Sequence, residues 1–116
     1  MDNQKLEILK TIGEYLGKLI QDIGDTIELF QNGNEGKGNE RVVEIIQALK
    51  DITEGIDITS DIQNGKIDIS EINEQLMEMV CALENRDYVL IADLLEYEIN
   101  PILEKWQNKI TDMIGM

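Results

Sequence analysis

The sequence predicts an all-α protein, an antiparallel four-helix bundle whose last helix kinks at Pro101. Three observations carry that prediction. Isoleucine and leucine recur in steps of three and four along most of the chain, the spacing that gathers apolar side chains on one face of a helix. Proline occurs once, while Leu, Glu, Lys and Gln, all strong helix formers, are frequent. Only one short stretch alternates in the two-residue rhythm of a strand, and an isolated hairpin is marginal in water. At 116 residues and 42% hydrophobic, the chain suits a single domain, 1–116, with one core. Aromatic residues make up 4%, so that core has to be built from Ile, Leu and Met.

The first helix is expected over about residues 3–31. Leu9, Leu16, Ile23 and Phe30 recur every seven residues, Ile12 and Leu19 fall on the adjacent seam, and Leu6, Ile20 and Ile27 flank it. Asp2 or Asn3 caps its start, and Asn32-Gly33 stops it, because glycine enters the left-handed conformation without strain. Of its glycines, Gly13 lies on the apolar flank and suits a close helix contact, whereas Gly17 and Gly24 read as surface positions. Residues 33–39 read as a flexible loop.

A second helix follows over about 40–62, with Val42, Ile45, Ile46, Leu49, Ile52 and Ile56 on its seam. Beyond Ile56 the stripe decays into Ile58, Asn64-Gly65, Ile67 and Ile69. Asn-Gly between alternating isoleucines is a hairpin signal; the preferred reading is a helix fraying near 62 and an extended connector. The third helix, about 69–85, has Ile69, Ile72, Leu76, Met79, Val80 and Leu83 as its seam, and Asp68 with Glu71 as its capping pair. Asn85-Arg86-Asp87 is a tight link, which makes the third and fourth helices antiparallel neighbours. The fourth, about 88–113, places Ile91, Leu95, Ile99, Ile102, Trp106, Ile110 and Met113 on one face. Pro101 removes a backbone hydrogen bond and crowds the preceding turn. Either the rod kinks near 97–101 or it breaks, with Asn100 capping a new helix.

Charge narrows the range of functions. Ten basic and 24 acidic residues give −14, and residues 68–104 alone hold ten acids against one base. Such a chain repels phosphate backbones and anionic lipid, so no direct nucleic-acid or membrane contact is expected. The sole cysteine, Cys81, has no internal partner and fits a reducing compartment; its place on the polar stripe of the third helix puts it at the surface. The amino-terminal residues show neither the basic stretch nor the apolar run of a signal peptide. The longest apolar run, Tyr88 to Ala92, is far short of the roughly 20 residues a membrane span needs. The expectation is a cytoplasmic protein.

No catalytic residue, metal site or cofactor is predicted. The chain has no histidine, the commonest general base and metal ligand. Gly36-Lys37 lacks the following Ser or Thr and the preceding strand of a phosphate-binding loop. The segment Asn64–Glu71 imitates the back half of a calcium loop, but Ser60 and Ile62 stand where its first two oxygen ligands belong. Glu71-x-x-Glu74 and Glu84-x-x-Asp87 resemble the magnesium-binding pairs of small all-α nucleotide pyrophosphohydrolases. Glu74 and Glu84, however, are about 15 Å apart along one helix, so a second helix or subunit would have to complete the site.

The stretch 83–98 carries more apolar residues than one helix face requires. Tyr88, Val89, Leu90, Leu94 and Tyr97 are the candidate interface residues: either this helix is buried on several sides, or these side chains meet a partner or a second copy. With Ile99, Pro101, Leu103 and Trp106, the stretch resembles uncharacterised short acidic helical proteins of Gram-positive bacteria, over the last third of the chain. That group has no assigned function. Leu83, Glu84, Asp87, Tyr88, Leu94 and Leu95 also resemble a pattern of flagellar and type III export chaperones, small acidic cytosolic helical proteins of bacteria. Where those often carry an arginine after the paired leucines, this chain has Tyr97-Glu98. The expected function is a non-enzymatic helical protein-binding module, an adaptor, regulator or chaperone-like protein whose partner is another protein or a second copy. Two alternatives are a magnesium-dependent nucleotide pyrophosphohydrolase and an acidic decoy that mimics DNA.

Overall fold

The structure, a computed structural model, describes residues 3–115. Helices α1 (Asn3–Gln31), α2 (Glu35–Ile58), α3 (Ser60–Gln63), α4 (Ser70–Glu84), α5 (Tyr88–Asp93) and α6 (Asn100–Ile114) follow in order. A π-helical turn, Leu94–Ile99, joins α5 to α6, so 88–114 is one unbroken rod. No strand occurs among the described residues, and the expected all-α bundle is what forms. Four long rods pack antiparallel. Gly13 of α1 lies beside Ile110, while Phe30, near the other end, stacks on Tyr88 with ring centres 5.9 Å apart. Phe30 also approaches Gly38 and Ile12 approaches Gly55, so α1 and α2 run oppositely. The Lys105 ammonium lies 3.0 Å from Glu71, at the far end of α4 from the link to α5. Around the square, α1 touches α2 and the last rod, and α4 packs on that rod. Between α2 and α4 the side chains leave an open groove.

The core is aliphatic, as the composition requires. Leu9, Leu16 and Ile23 of α1, Val42 and Leu49 of α2, and Ile91, Leu95, Ile99, Leu103, Trp106 and Ile110 of the last rod are all at most 1% exposed. Helix α4 contributes least, burying Ile72, Met79 and Ala82; Val80, on its expected seam, stays exposed.

Several expectations are corrected. Of the two proposed caps, Asp2 lies outside the described residues, and Asn3 is a helical residue of α1. The loop after α1 is shorter than 33–39, because α2 begins at Glu35. Gly33 takes φ +82°, and the Asn34 N–H donates to the Leu29 carbonyl at 2.8 Å, a glycine stop that turns the chain within three residues. Gly36 and Gly38 belong to the first turn of α2. Gly38 is buried, and a Cβ there would come within 2.8 Å of the Phe30 ring; glycine here serves close packing, not looseness. Gly17, read as a surface position, sits against Gln107, whose Nε2 lies 2.8 Å from where a Cβ would be.

The 56–69 segment forms no hairpin: helix ends at Gln63, close to the expected 62, and a connector follows, but the end is a built corner and not a fray. Helix α2 stops at Ile58 because Thr59 and Gln63, both buried, build a polar corner. The Gln63 amide donates to the Ile56 carbonyl at 2.9 Å and to the Thr59 hydroxyl at 2.7 Å. The Thr59 hydroxyl lies within hydrogen-bonding reach of the Gly55 and Ile56 carbonyls. Each buried polar group is thereby satisfied, as burial demands. Asn64 and Gly65 then take the left-handed conformation, and a short connector leads to α4. Asp68 does not form a capping box with Glu71. Its Oδ1 accepts from the backbone N–H and the hydroxyl of Ser70, at 3.0 and 2.6 Å, and these bonds hold its carboxyl below the ordinary aspartate range. Glu71 faces Lys105 instead.

At Pro101 the rod neither breaks nor gains a cap. Asn100 has helical torsions, φ −55° and ψ −45°, and its N–H donates to the Leu95 carbonyl five residues back. Its side-chain Oδ1 is buried without a protein partner. The π turn ending just before Pro101 gives the chain the wider spacing that the proline's missing donor and bulky ring require. It also shifts the buried face, so that Leu103 enters the core while Ile102, the expected residue, is only partly covered.

Candidate functional site

The five candidate residues are split by the structure. Leu94 is 4% exposed: it packs in the core with Ile91, Leu95 and Ile99, and only its edge reaches the groove between α4 and the rod. Tyr88 is half-buried through its stacking on Phe30. Val89, Leu90 and Tyr97 remain open to solvent, Val89 at 74% and Tyr97 at 66%. The rod is thus buried on several sides, as the first reading has it, and still leaves three large apolar side chains exposed.

These side chains border two shallow grooves with Asp93 on the ridge between them. One groove, of about 330 Å³, runs between α4 and the rod, with the nearly buried Leu94 as its floor, the exposed Leu90 and Tyr97 beside it, and Glu78, Asp93 and Glu98 completing the lining with acids. On the rod these residues sit three, four, seven and eight positions from Leu90, which is one helical face. Gln75 completes the α4 wall, its Oε1 buried and without a protein partner. The other groove, of about 260 Å³, lies between the end of α1 and the rod, where Phe30, Tyr88, Val89 and Ala92 meet Glu35 and Glu96. No Lys or Arg lines either one.

A third apolar surface was not among the candidates. Between α2 and α4, Ile46, Leu76, Met77, Val80 and the Lys50 stem border a groove of about 340 Å³, and Met77 is 72% exposed. The signal for it was Val80 and Met77 side by side on a helix that needs only one apolar stripe. Cys81 lies at its edge, exposed as expected.

The residues matching the export-chaperone pattern do structural work. Arg86 takes a left-handed φ of +55°, and the Asp87 N–H donates to the Ala82 carbonyl at 2.9 Å, closing α4. The Asp87 carboxylate then accepts from the Leu90 N–H at 3.1 Å and caps α5. Leu94 and Leu95 are core residues. This pattern thus encodes a tight helical corner.

The carboxylate pairs do not converge. Glu71 is engaged by Lys105, Glu74, Glu78 and Glu84 are strung along exposed parts of α4, and among the described residues no group of three or more His, Cys, Asp or Glu side chains is placed to hold a metal ion. Nor is any helix among them long and apolar enough to cross a membrane.

One family model, described as Domain of unknown function (DUF8042), matches residues 7–109. The chain belongs to this DUF8042 family. The match runs from the first turns of α1 into α6, so the family is defined by the whole bundle and not by the last third alone, where the sequence resemblance lay. No curated protein and no solved structure matches the chain.

Proposed function

We propose that this DUF8042 chain is a non-enzymatic helical protein-binding module, an adaptor, regulator or chaperone-like protein that covers an apolar helix of a client. One observation carries the reading. The last rod already buries Ile91, Leu95, Ile99, Leu103, Trp106 and Ile110, a complete core stripe, and still leaves Val89, Leu90 and Tyr97 in water beside helix-walled grooves. Scattered single apolar residues are ordinary on a surface, but adjacent ones along a groove are the usual mark of an interaction site. The likeness to export chaperones, though spent on the α4–α5 corner, agrees with this reading, and a reducing compartment agrees with the single free thiol. The hydrolase and decoy readings have no comparable observation behind them.

Affinity capture with the tagged chain, repeated with Leu90→Asp and Tyr97→Asp, tests the proposal. Both positions are exposed, so the variants fold, which circular dichroism verifies. Partners held by the wild type are expected to be lost by both variants, a drop of about tenfold or more for a carboxylate placed in an apolar contact. The same partners recovered equally by all three chains would overturn the reading.

A further inference from the structure

We infer that the groove between α4 and the last rod receives a cationic amphipathic helix of a partner protein, with apolar side chains on its inner face and Lys or Arg along both flanks. The inference rests on the protein-binding reading and specifies the partner's chemistry. Shape supplies the first half of the argument. Helix α4, through Gln75 and Glu78, and the antiparallel rod, through Leu90, Leu94 and Tyr97, border a trough of the kind into which a third helix packs, ridge into groove. A trough open along its length cannot enclose a small molecule, whose sites bury most of the ligand.

Charge supplies the second half. Glu78, Asp93 and Glu98 border the trough on both walls, and no Lys or Arg lines it. The surrounding segment, residues 68–104, holds ten acids and one base. The described acids are not grouped to share a metal ion, whereas Lys and Arg on successive turns of a docked helix would each face one of them. A second copy meeting this groove face to face would bring the same acids against these, and like charges across an interface oppose association. Acidic or phosphorylated segments are repelled for the same reason. Tyr97, 66% exposed at the groove edge, offers a ring face on which a guanidinium or ammonium group can settle.

Titration of the full chain with a synthetic Leu/Lys amphipathic helix of about five turns tests this, alongside peptides with every Lys replaced by Gln or by Glu. Binding is followed by calorimetry and by backbone amide shifts. The Leu/Lys peptide is expected to bind and to shift Glu78, Leu90, Asp93, Tyr97 and Glu98. The Gln peptide should bind about tenfold more weakly or less, and the Glu peptide not at all. The double variant Asp93→Lys with Glu98→Lys should lose about tenfold in affinity, while the equally charged control Glu7→Lys with Glu14→Lys, on α1, should lose at most a small fraction of that. Absence of binding, shifts centred elsewhere, or equal losses in the two double variants would overturn the proposal. A Gln peptide that binds the same residues as tightly would overturn the cationic partner but leave the protein-binding reading standing. That reading fails separately, if Leu90→Asp and Tyr97→Asp change no captured partner.

Discussion

Two helical glycines show how single positions divide between packing and mere tolerance. Gly24 has nothing within 4 Å of where a Cβ would stand, whereas at Gly38 a Cβ would press within 2.8 Å of the Phe30 ring. That ring is held in turn by its stacking on Tyr88, so it has little room to retreat. Gly24→Ala should therefore raise the unfolding free energy by about 0.5–1 kcal/mol, through the helix propensity gained and the unfolded-state freedom removed. Gly38→Ala gains the same propensity but meets an overpacking cost of about 1–3 kcal/mol, and its net effect is destabilising. Urea denaturation of the two variants should move the midpoint in opposite directions; a stabilised Gly38→Ala would show that the Phe30 ring yields freely. The sequence shows Gly38 only as part of a glycine-rich stretch, which is why it reads as loop. What decides its role is a ring eight residues earlier on another helix, a contact with no local signature.

At the scale of elements, the π turn is the feature that the spacing carried without its being read. Ile91, Leu95, Ile99 and Leu103 are all buried and each is four residues from the next. In an α-helix every four-residue step drifts about 40° around the axis, so three in succession would carry Leu103 well off the core face. The wider π turn at Leu94–Ile99 absorbs that drift, as a helix with one extra residue accommodated in a single turn does. Deleting the exposed Glu96, in a Pro101→Ala background that removes the ring's clash with an ordinary helical turn, should then convert the turn to ordinary helix and leave both halves of the rod facing the core, with a cooperative melt retained. Deleting Glu104, also exposed, turns everything beyond it by about 100°, takes Trp106 and Ile110 out of the core and should abolish cooperative unfolding. Calorimetry on the two deletions checks this, and equal damage would mean that the π turn is not a register device. The four rods themselves were legible because each has a stripe several turns long, with stops at Asn32-Gly33 and Asn85–Asp87 that rest on local turn chemistry. The Thr59–Gln63 corner was not, because buried polar residues at an i, i+4 spacing look the same in sequence as exposed ones.

For the whole molecule the governing quantity is −14 carried by a body of 48 × 23 × 19 Å. The site was half legible at this scale: the surplus of apolar residues at 88–97 was visible, but which of them point into the bundle depends on the rod's rotation, which the π turn resets. That is why Leu94 went to the core and Tyr97 to solvent, and why the Met77–Val80 surface, on a helix with an acceptable stripe, passed unread. The acids around these surfaces set a measurable trait. Among the described residues the ion pairs Lys5–Asp61 and Lys105–Glu71 are solvent-exposed, and such pairs contribute at most about 1 kcal/mol each. Salt weakens them, but it also screens the repulsion among 24 acids opposed by ten bases, many of them closer than the Debye length of about 30 Å at 0.01 M. Repulsive pairs outnumber attractive ones, so screening should win. The thermal midpoint is expected to rise steadily from about 0.01 to about 0.5 M NaCl, the range over which the Debye length contracts below helix spacing. A falling midpoint would mean that the two ion pairs outweigh the net charge. If a cationic helix docks between α4 and the rod, it relieves the same repulsion that salt does, so its stabilisation of the bundle should be largest where salt is lowest. Melting curves with and without the Leu/Lys peptide across that range would show the two effects substituting for one another, whereas a peptide stabilisation independent of salt would place the binding energy in the apolar floor alone.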